Sequence, residues 1–368
     1  MIEKETAVGT AAESLKTEQQ QITNFSPDDL INHVNSQDGL ELYEHLRITD
    51  TTPIPDVEAV VCIDHHIIAA KGDITTFSGG SKTGKTLSLD AIIASGISAD
   101  GNIVDPVPEI QVTPNENCFA LIHIDTEQSK NRHKQKLQKN ILRAGYTTCP
   151  PHYLSYNVRE LSIEEYRPFT TGVLRAAKKT FGGVFMLVID GIADYIKDPN
   201  NTEESNSIVK YIDQIAIEFN CPVLVVIHTN PGTDKERGNQ GSQLQRKSAS
   251  VLSVKVENDI TYLEPKLLRY AGRNKVPTLM FVYDVEKGYH VSAGAATNEK
   301  EDRSRARQLK SIVDDVFAPP IALEYNVAIS KIMKHTDKGE RTAKQYFKEL
   351  KAHELITQGS DKNWRAAI

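Results

Sequence analysis

Ile74-Thr75-Thr76-Phe77-Ser78-Gly79-Gly80-Ser81-Lys82-Thr83-Gly84-Lys85-Thr86 decides how this chain is read. The stretch opens as a strand, Ile74–Ser78. It closes on the pattern Gly-x-x-x-x-Gly-Lys-Thr, Gly79 to Thr86. A helix is expected next, over Lys85–Ile97, with Leu87, Leu89, Ile92 and Ile93 as its apolar residues. In the order strand, glycine loop, helix, backbone N–H groups and a helix N-terminus can wrap phosphate oxygens. Gly79, Gly80, Ser81, Lys82, Thr83, Gly84, Lys85 and Thr86 are therefore the expected loop for the phosphates of ATP. Lys85 is expected to reach the β- and γ-phosphates, and the Thr86 hydroxyl to ligate Mg2+.

Outward from the loop, strands and helices alternate. Strands are expected at Phe119–Ile124, Val184–Ile189 and Pro222–Ile227, and helices at Gln128–Ala144 and Ser205–Glu218. Val184–Ile189 is a continuous apolar run, as in a buried parallel sheet. Val251–Val256, Ile260–Leu267 and Leu279–Tyr283 alternate more and read as antiparallel. The pattern is an α/β open sheet with a hairpin-rich edge. Asp190 ends one buried strand and is placed beside the glycine loop as a carboxylate for Mg2+. Asp194, four residues on, is open between water on Mg2+, a basic neighbour and no role. Asp125 and Glu127 follow another strand. Glu127 is the expected base for an attacking water, and Asp125 is open between Mg2+ hydration and holding the loop. His228 is read on the far side of the Asp190 strand, facing a γ-phosphate from the sheet edge and relaying hydrolysis onward.

Thr229–Gln243 is polar and carries Gly232, Gly238 and Gly241, so it reads as a long loop not fixed by its own packing. Two readings stay open. Lys235 and Arg237 can touch single-stranded DNA. Arg246 or Lys247, in a short helix starting at Leu244, can reach a neighbouring subunit's γ-phosphate as a finger, with Arg269 and Arg273 as further candidates.

The helix Gln128–Ala144 carries Lys130, Arg132, His133, Lys134, Lys136, Lys139 and Arg143 over a thin apolar set, Leu137, Ile141 and Leu142. Its basic face reads as solvated, or as a contact for an acidic subunit or nucleic acid. Residues 1–24 read as a flexible tail, and Ser26-Pro27 as a helix start, within an N-terminal segment 1–52. The core is expected over 53–290 and a linker over 291–301. Residues 302–368 read as three helices and a terminal hairpin, a winged helix-turn-helix. Its third helix, Glu340–His353, carries Arg341, Lys344, Lys348 and Lys351 on one broad face for duplex DNA, or serves protein contact instead.

The net charge of −6 argues against a globally basic nucleic-acid binder. Residues 301–368 hold 13 Lys+Arg against 10 Asp+Glu, so any such surface is local. No apolar run reaches the roughly 18 residues of a membrane span. The polar start lacks the apolar core of a signal peptide, and a cytoplasmic protein is expected. Cys62, Cys118, Cys149 and Cys221 show no metal-ligand spacing and read as reduced thiols.

With these residues in place, the chain resembles the RecA-like P-loop ATPase superfamily over residues 53–290. Within it, the chain resembles the hexameric plasmid replicative helicases typified by RepA, and ATPases of mobile elements in Bacteroides-type bacteria. The family's extra loop lysine falls on Lys82, its catalytic glutamate on Glu127, its Walker B aspartate on Asp190, and its sensor on His228. Arg237–Ser242 is similar to the loop that follows. His228-Thr229-Asn230 departs from the His-His-x-x-Lys run of some relatives. The resemblance implies Mg2+-dependent ATP hydrolysis coupled to DNA in a ring-forming homo-oligomer, a hexamer in that branch. A second reading is an ATP-dependent DNA-binding loader or regulator of replication, transposition or mobilisation, with a partner protein and no processive unwinding. A third reading is a signalling ATPase without DNA, its winged helix binding only protein, and a small-molecule kinase is a fourth and weaker one.

Overall fold

The computed structural model describes residues 44–80, 83–230, 236–272, 275–296 and 299–367; the side chains of 45, 86, 87 and 299–306 lie outside that description. The expected tail and Ser26 helix, Ser81, Lys82, Lys235, Arg273 and the Thr86 hydroxyl thus fall outside it. The chain divides into two units, Met1–Asp56 and Val57–Ile368. The described part of the first holds a 3-10 turn, Glu44–Leu46, where Arg47 Nη1 donates to Glu44 Oε1 at 2.9 Å.

The second unit begins with β1 (Ala59–Ile63), β2 (His66–Ala70), β3 (Ile74–Gly79) and α1 (Lys85–Ile97). It continues through β4 (Ile110–Val112), β5 (Ala120–Asp125), α2 (Lys130–Arg143), β6 (Tyr153–Asn157) and α3 (Ile163–Phe181). Then come β7 (Val184–Asp190), α4 (Thr202–Phe219), β8 (Val223–His228) and α5 (Gly238–Lys247). Strands β9 (Ser250–Glu257), β10 (Ile260–Leu268), β11 (Thr278–Asp284) and β12 (Tyr289–Ala296) complete the sheet. Last are α6 (Glu299–Val316), α7 (Tyr325–Thr336), α8 (Glu340–Ala352), β13 (Ile356–Gln358) and β14 (Trp364–Ala366).

Nine strands form one sheet in the order β12-β11-β10-β9-β3-β8-β7-β5-β6. From β9 to β6 every pair is parallel; from β9 to β12 every pair is antiparallel. Alternation along each strand builds two hydrophobic layers. Leu121, Met186, Val188, Leu224 and Val226 point into one layer with Leu89, Ile93 and Ile97 of α1. Ile122, Ile124, Leu187, Ile189, Val223, Val225 and Ile227 point into the other with Leu174 of α3 and Ile208 and Ile212 of α4. A small sheet, β2-β1-β4, packs Val61, Ile63 and Ile68 into the first layer. The result is a mixed α/β architecture with one large central sheet.

Strand order corrects one expectation. β8 sits between β3 and β7, so His228 is central, and Asp190 stands two strands from the glycine loop. Local patterning sets which face a strand buries but says nothing about its neighbours. Residues 289–296, most of them inside or beside the expected linker, pair with β11 as the edge strand β12. Small residues such as Ala293, Gly294 and Ala295 serve an edge strand as well as they serve a connection.

The last three helices and the β13–β14 hairpin enclose their own apolar cluster: Leu309, Ile312, Phe317, Ile329, Ile332, Tyr346, Phe347, Leu350 and Ile356. Phe347 packs edge-on to Tyr325 and Trp364, with ring centroids 4.9 and 5.0 Å away. Among the described residues no helix is long and apolar enough to cross a membrane.

Candidate active site at the carboxyl ends of the parallel strands

Parallel register brings Gly79 opposite His228 and Asp190 opposite Asp125. The glycine loop starts in a tight cradle: a Cβ on Gly79 would stand 2.6 Å from Val254 O and 2.8 Å from Thr83 Oγ1. Thr83 Oγ1 donates to Gly80 O at 2.9 Å, bracing the turn.

Lys85 is 6% exposed. Its Nζ donates to Gly79 O at 3.1 Å and Gly80 O at 2.6 Å, and lies 3.0 Å from His228 Nδ1. Burial pulls its pKa below the usual lysine value, against the fields of Glu127 and Asp190. An ammonium offers only donors, so His228 Nδ1 must accept and the ring hydrogen sits on Nε2. That Nε2–H donates to Glu127 Oε1 at 3.0 Å. Lys85, His228 and Glu127 thus form one directional chain. The His228 hydrogen bond holds the Glu127 carboxyl below the ordinary glutamate value, outweighing the opposing effect of burial.

Glu127 is aimed by its neighbours. Asp125 Oδ1 accepts the backbone N–H groups of Glu127 and Gln128 at 3.0 and 2.8 Å, while Oδ2 meets His133 Nδ1 at 3.1 Å. Of the two roles left open for Asp125, this geometry is that of a loop bracket. Thr126 Oγ1 donates to Asp194 Oδ2 at 2.6 Å and also reaches the Asp190 and Gly191 carbonyls. Asp194 is thereby engaged, and burial raises its pKa. Gly191 adopts φ 110°, and a Cβ there would run into Thr126 Oγ1 and stand 3.0 Å from Glu127 Cγ.

Asp190 meets a partner that sequence reading missed. Lys136 Nζ lies 3.0 Å from Asp190 Oδ2 and 3.6 Å from Asp90 Oδ1. The basic helix divides its charges: His133, Lys136 and Arg143 are buried with Asn140, while Lys130, Arg132 and Lys134 are exposed, as is Leu142 at 60%. The buried four, spaced by three, four and three residues, make one inward stripe. Buried carboxylates reverse the usual preference of Lys136 for solvent. The signal was present as acids at the ends of β5 and β7, but nothing local paired them with this helix.

Thr83, Gly84, Lys85, Glu127, Asp190 and His228 line a cavity of about 590 Å³. Val256, Asp259, Thr261, Tyr283 and His290 from the two hairpins line it as well. A buried ammonium whose direct partners are uncharged, beside a cradle closed to side chains, fits a polyphosphate. The carboxylates beside it are hard oxygen donors and fit Mg2+.

Other expected site residues lie elsewhere. Ala249 N–H donates to Ile74 O at 2.8 Å and Ser250 pairs with Thr75, so α5 ends at the amino-terminal edge of β3. There Arg246 bonds Gln243 Oε1 at 2.7 Å, Lys247 bonds Asp213 at 2.9 Å, and Arg269 donates to Lys247 O at 3.1 Å. None of the three lines the cavity. The described part of Thr229–Gln243 departs from the expected loop. α5 starts at Gly238, Thr229 bridges Glu236, and Arg237 N–H donates to His228 O at 3.0 Å. Buried Glu236 takes Lys266 Nζ at 2.7 Å. Arg237 is exposed, as are Arg341, Lys344, Lys348 and Lys351 along the outer face of α8.

No protein-family model matches the chain, and a search of curated proteins returns no match.

Proposed function

We propose that this chain is a RecA-like ATPase, with a C-terminal winged helix, that hydrolyses Mg2+-bound ATP and couples turnover to DNA. One observation carries the reading: the Lys85–His228–Glu127 chain lines one cavity together with buried Asp190, beside a glycine cradle. Thr86 and Asp190 are the residues that would hold Mg2+, which when bound supplies charge neutralisation on the phosphates. Lys85 exchanges carbonyl and imidazole partners for phosphate oxygens, taking position where negative charge develops. Glu127, ionised at neutral pH, accepts the proton of the attacking water at a carboxylate oxygen. His228 holds that carboxylate in place. Its carbonyl accepts from Arg237 N–H, so movement of the ring reaches the base of the following loop. Assembly into a ring would bring Arg246, Lys247 or Arg269 to a neighbour's site, since their own chain keeps them at the opposite sheet edge.

The exposed basic face of α8 supports DNA as the coupled partner. Steady-state ATP hydrolysis without DNA, with single strands and with duplex tests the reading. Single-strand stimulation favours a helicase of the kind mobile elements encode. Duplex-only stimulation favours a loader or regulator. Glu127→Gln is expected to cut turnover about 100-fold or more while ATP binding persists. Full turnover in Glu127→Gln would remove Glu127 as the base.

A further inference from the structure

Behind the nucleotide-facing groups lies a second polar nest. One ligand atom each from His123, Asp125 and Asp190, all buried, falls within 4.8 Å of the others, the spacing of a metal-ligand trio. His123 is 1% exposed and stacks on His133, with ring centroids 5.4 Å apart. Its Nδ1 lies 3.2 Å from Ser155 Oγ. Its Nε2 has no hydrogen-bond partner among the described residues. A buried imidazole nitrogen without a partner is costly unless something answers it. One member of the trio already holds a cation: Lys136, 9% exposed, lies on Asp190 Oδ2 at 3.0 Å and near Asp90 of α1, the helix that follows the glycine loop.

We propose that Lys136 is a tethered cation standing in a metal-ligand nest of His123, Asp125 and Asp190, where it positions the Asp190 carboxylate and keeps divalent ions from settling behind the nucleotide site. Asp190 is the one group shared by the nest and the nucleotide cavity. A divalent ion bound in the nest would draw Asp190 away from the cavity. An ammonium on a side chain cannot migrate to the cavity or exchange with solvent ions, and it ties β7 to α1 through Asp90. Lys136 is thus a positioning residue, and this half of the inference rests on the ATPase reading.

The test uses the full chain without nucleotide and Co2+ as the probe, followed by its visible absorption. Wild type and Lys136→Arg are expected to show no protein-bound Co2+ band. Lys136→Met, folded by circular dichroism, is expected to show one, and adding His123→Gln to remove it. In turnover assays Lys136→Met is expected to lower kcat about tenfold with KM for ATP changed less than about threefold, and Lys136→Arg to restore most of the loss. Should Lys136→Met fail to fold, Lys136→Met with Asp90→Asn removes one uncompensated carboxylate and carries the same readouts. A Co2+ band in wild type that His123→Gln abolishes overturns the proposal without any Lys136 variant. So does a folded Lys136→Met that shows neither the band nor the kcat loss. A wild type that never hydrolyses ATP sinks the functional reading and the positioning half with it; the Co2+ arm then judges the tethered cation alone.

Discussion

Glu127 is held by its neighbours: Asp125 fixes its backbone, His228 its carboxylate, and Gly191 leaves room for its stem. Gly191→Ala places a methyl against Thr126 Oγ1 at a φ that L side chains rarely adopt. It is expected to cost about 2 kcal/mol or more of stability, read from the denaturant midpoint, and to depress turnover in the molecules that remain folded. pH dependence follows from the His228 hydrogen bond, which keeps the Glu127 carboxyl below its ordinary 4.5. A depressed carboxyl stays ionised until the pH falls through its lowered value. The acid limb of kcat/KM set by Glu127 should therefore lie below 4.5 in wild type. His228→Leu removes the donor, and the limb is expected to move up. A limb that stays where it was would show that the ring does not tune this carboxylate.

At the scale of elements, α2 buries charged groups beside its apolar residues. Lys136→Met leaves Asp190 and Asp90 buried without their cation, and about 3–5 kcal/mol of stability is expected to go with it. Leu142→Ala on the exposed face is expected to stay within about 0.5 kcal/mol. Paired unfolding curves check the contrast, which runs opposite to what hydropathy dictates. It also marks the limit of what the sequence tells. The helix after the glycine loop was legible from the order strand, glycine run, apolar periodicity, and Lys85–Ile97 forms where it was expected. Residues 184–189 and 223–227 were legible as buried strands because their apolar runs leave no solvated face. A lysine at a helical position reads the same whether water or a distant aspartate awaits it, so the pairing of Lys136 with Asp190, 54 residues away, was not legible. The order of β8 and β7 failed for the same reason: it is a property of the assembled sheet.

Over the whole molecule, the second unit carries two candidate sites in separate places: a cavity at the carboxyl ends of the sheet's parallel strands, and a basic helix face on its own apolar cluster. On α8, Ala343, Tyr346, Phe347 and Leu350 are buried, while Arg341 and Lys348 are exposed. Reversing Arg341 and Lys348 to glutamate is expected to weaken duplex binding and flatten its salt dependence. ATP turnover without DNA should be unchanged, as read by anisotropy titrations at two salt concentrations beside a turnover assay. Unchanged binding would leave α8 a protein-contact helix, the other role its sequence allowed.

The glycine loop, His228, Asp190 and Glu127 stand at or just beyond the ends of β3, β8, β7 and β5, four adjacent rungs of one ladder. Hydrogen-bonded strands stand about 4.8 Å apart, so the ladder spaces these groups like marks on a ruler, and side-chain packing has little say in the interval. Separating β8 from β3 and β7 therefore erases the distance between Gly79 and Asp190 as well. Melting of these central strands takes the site with it, whatever becomes of the side chains around it.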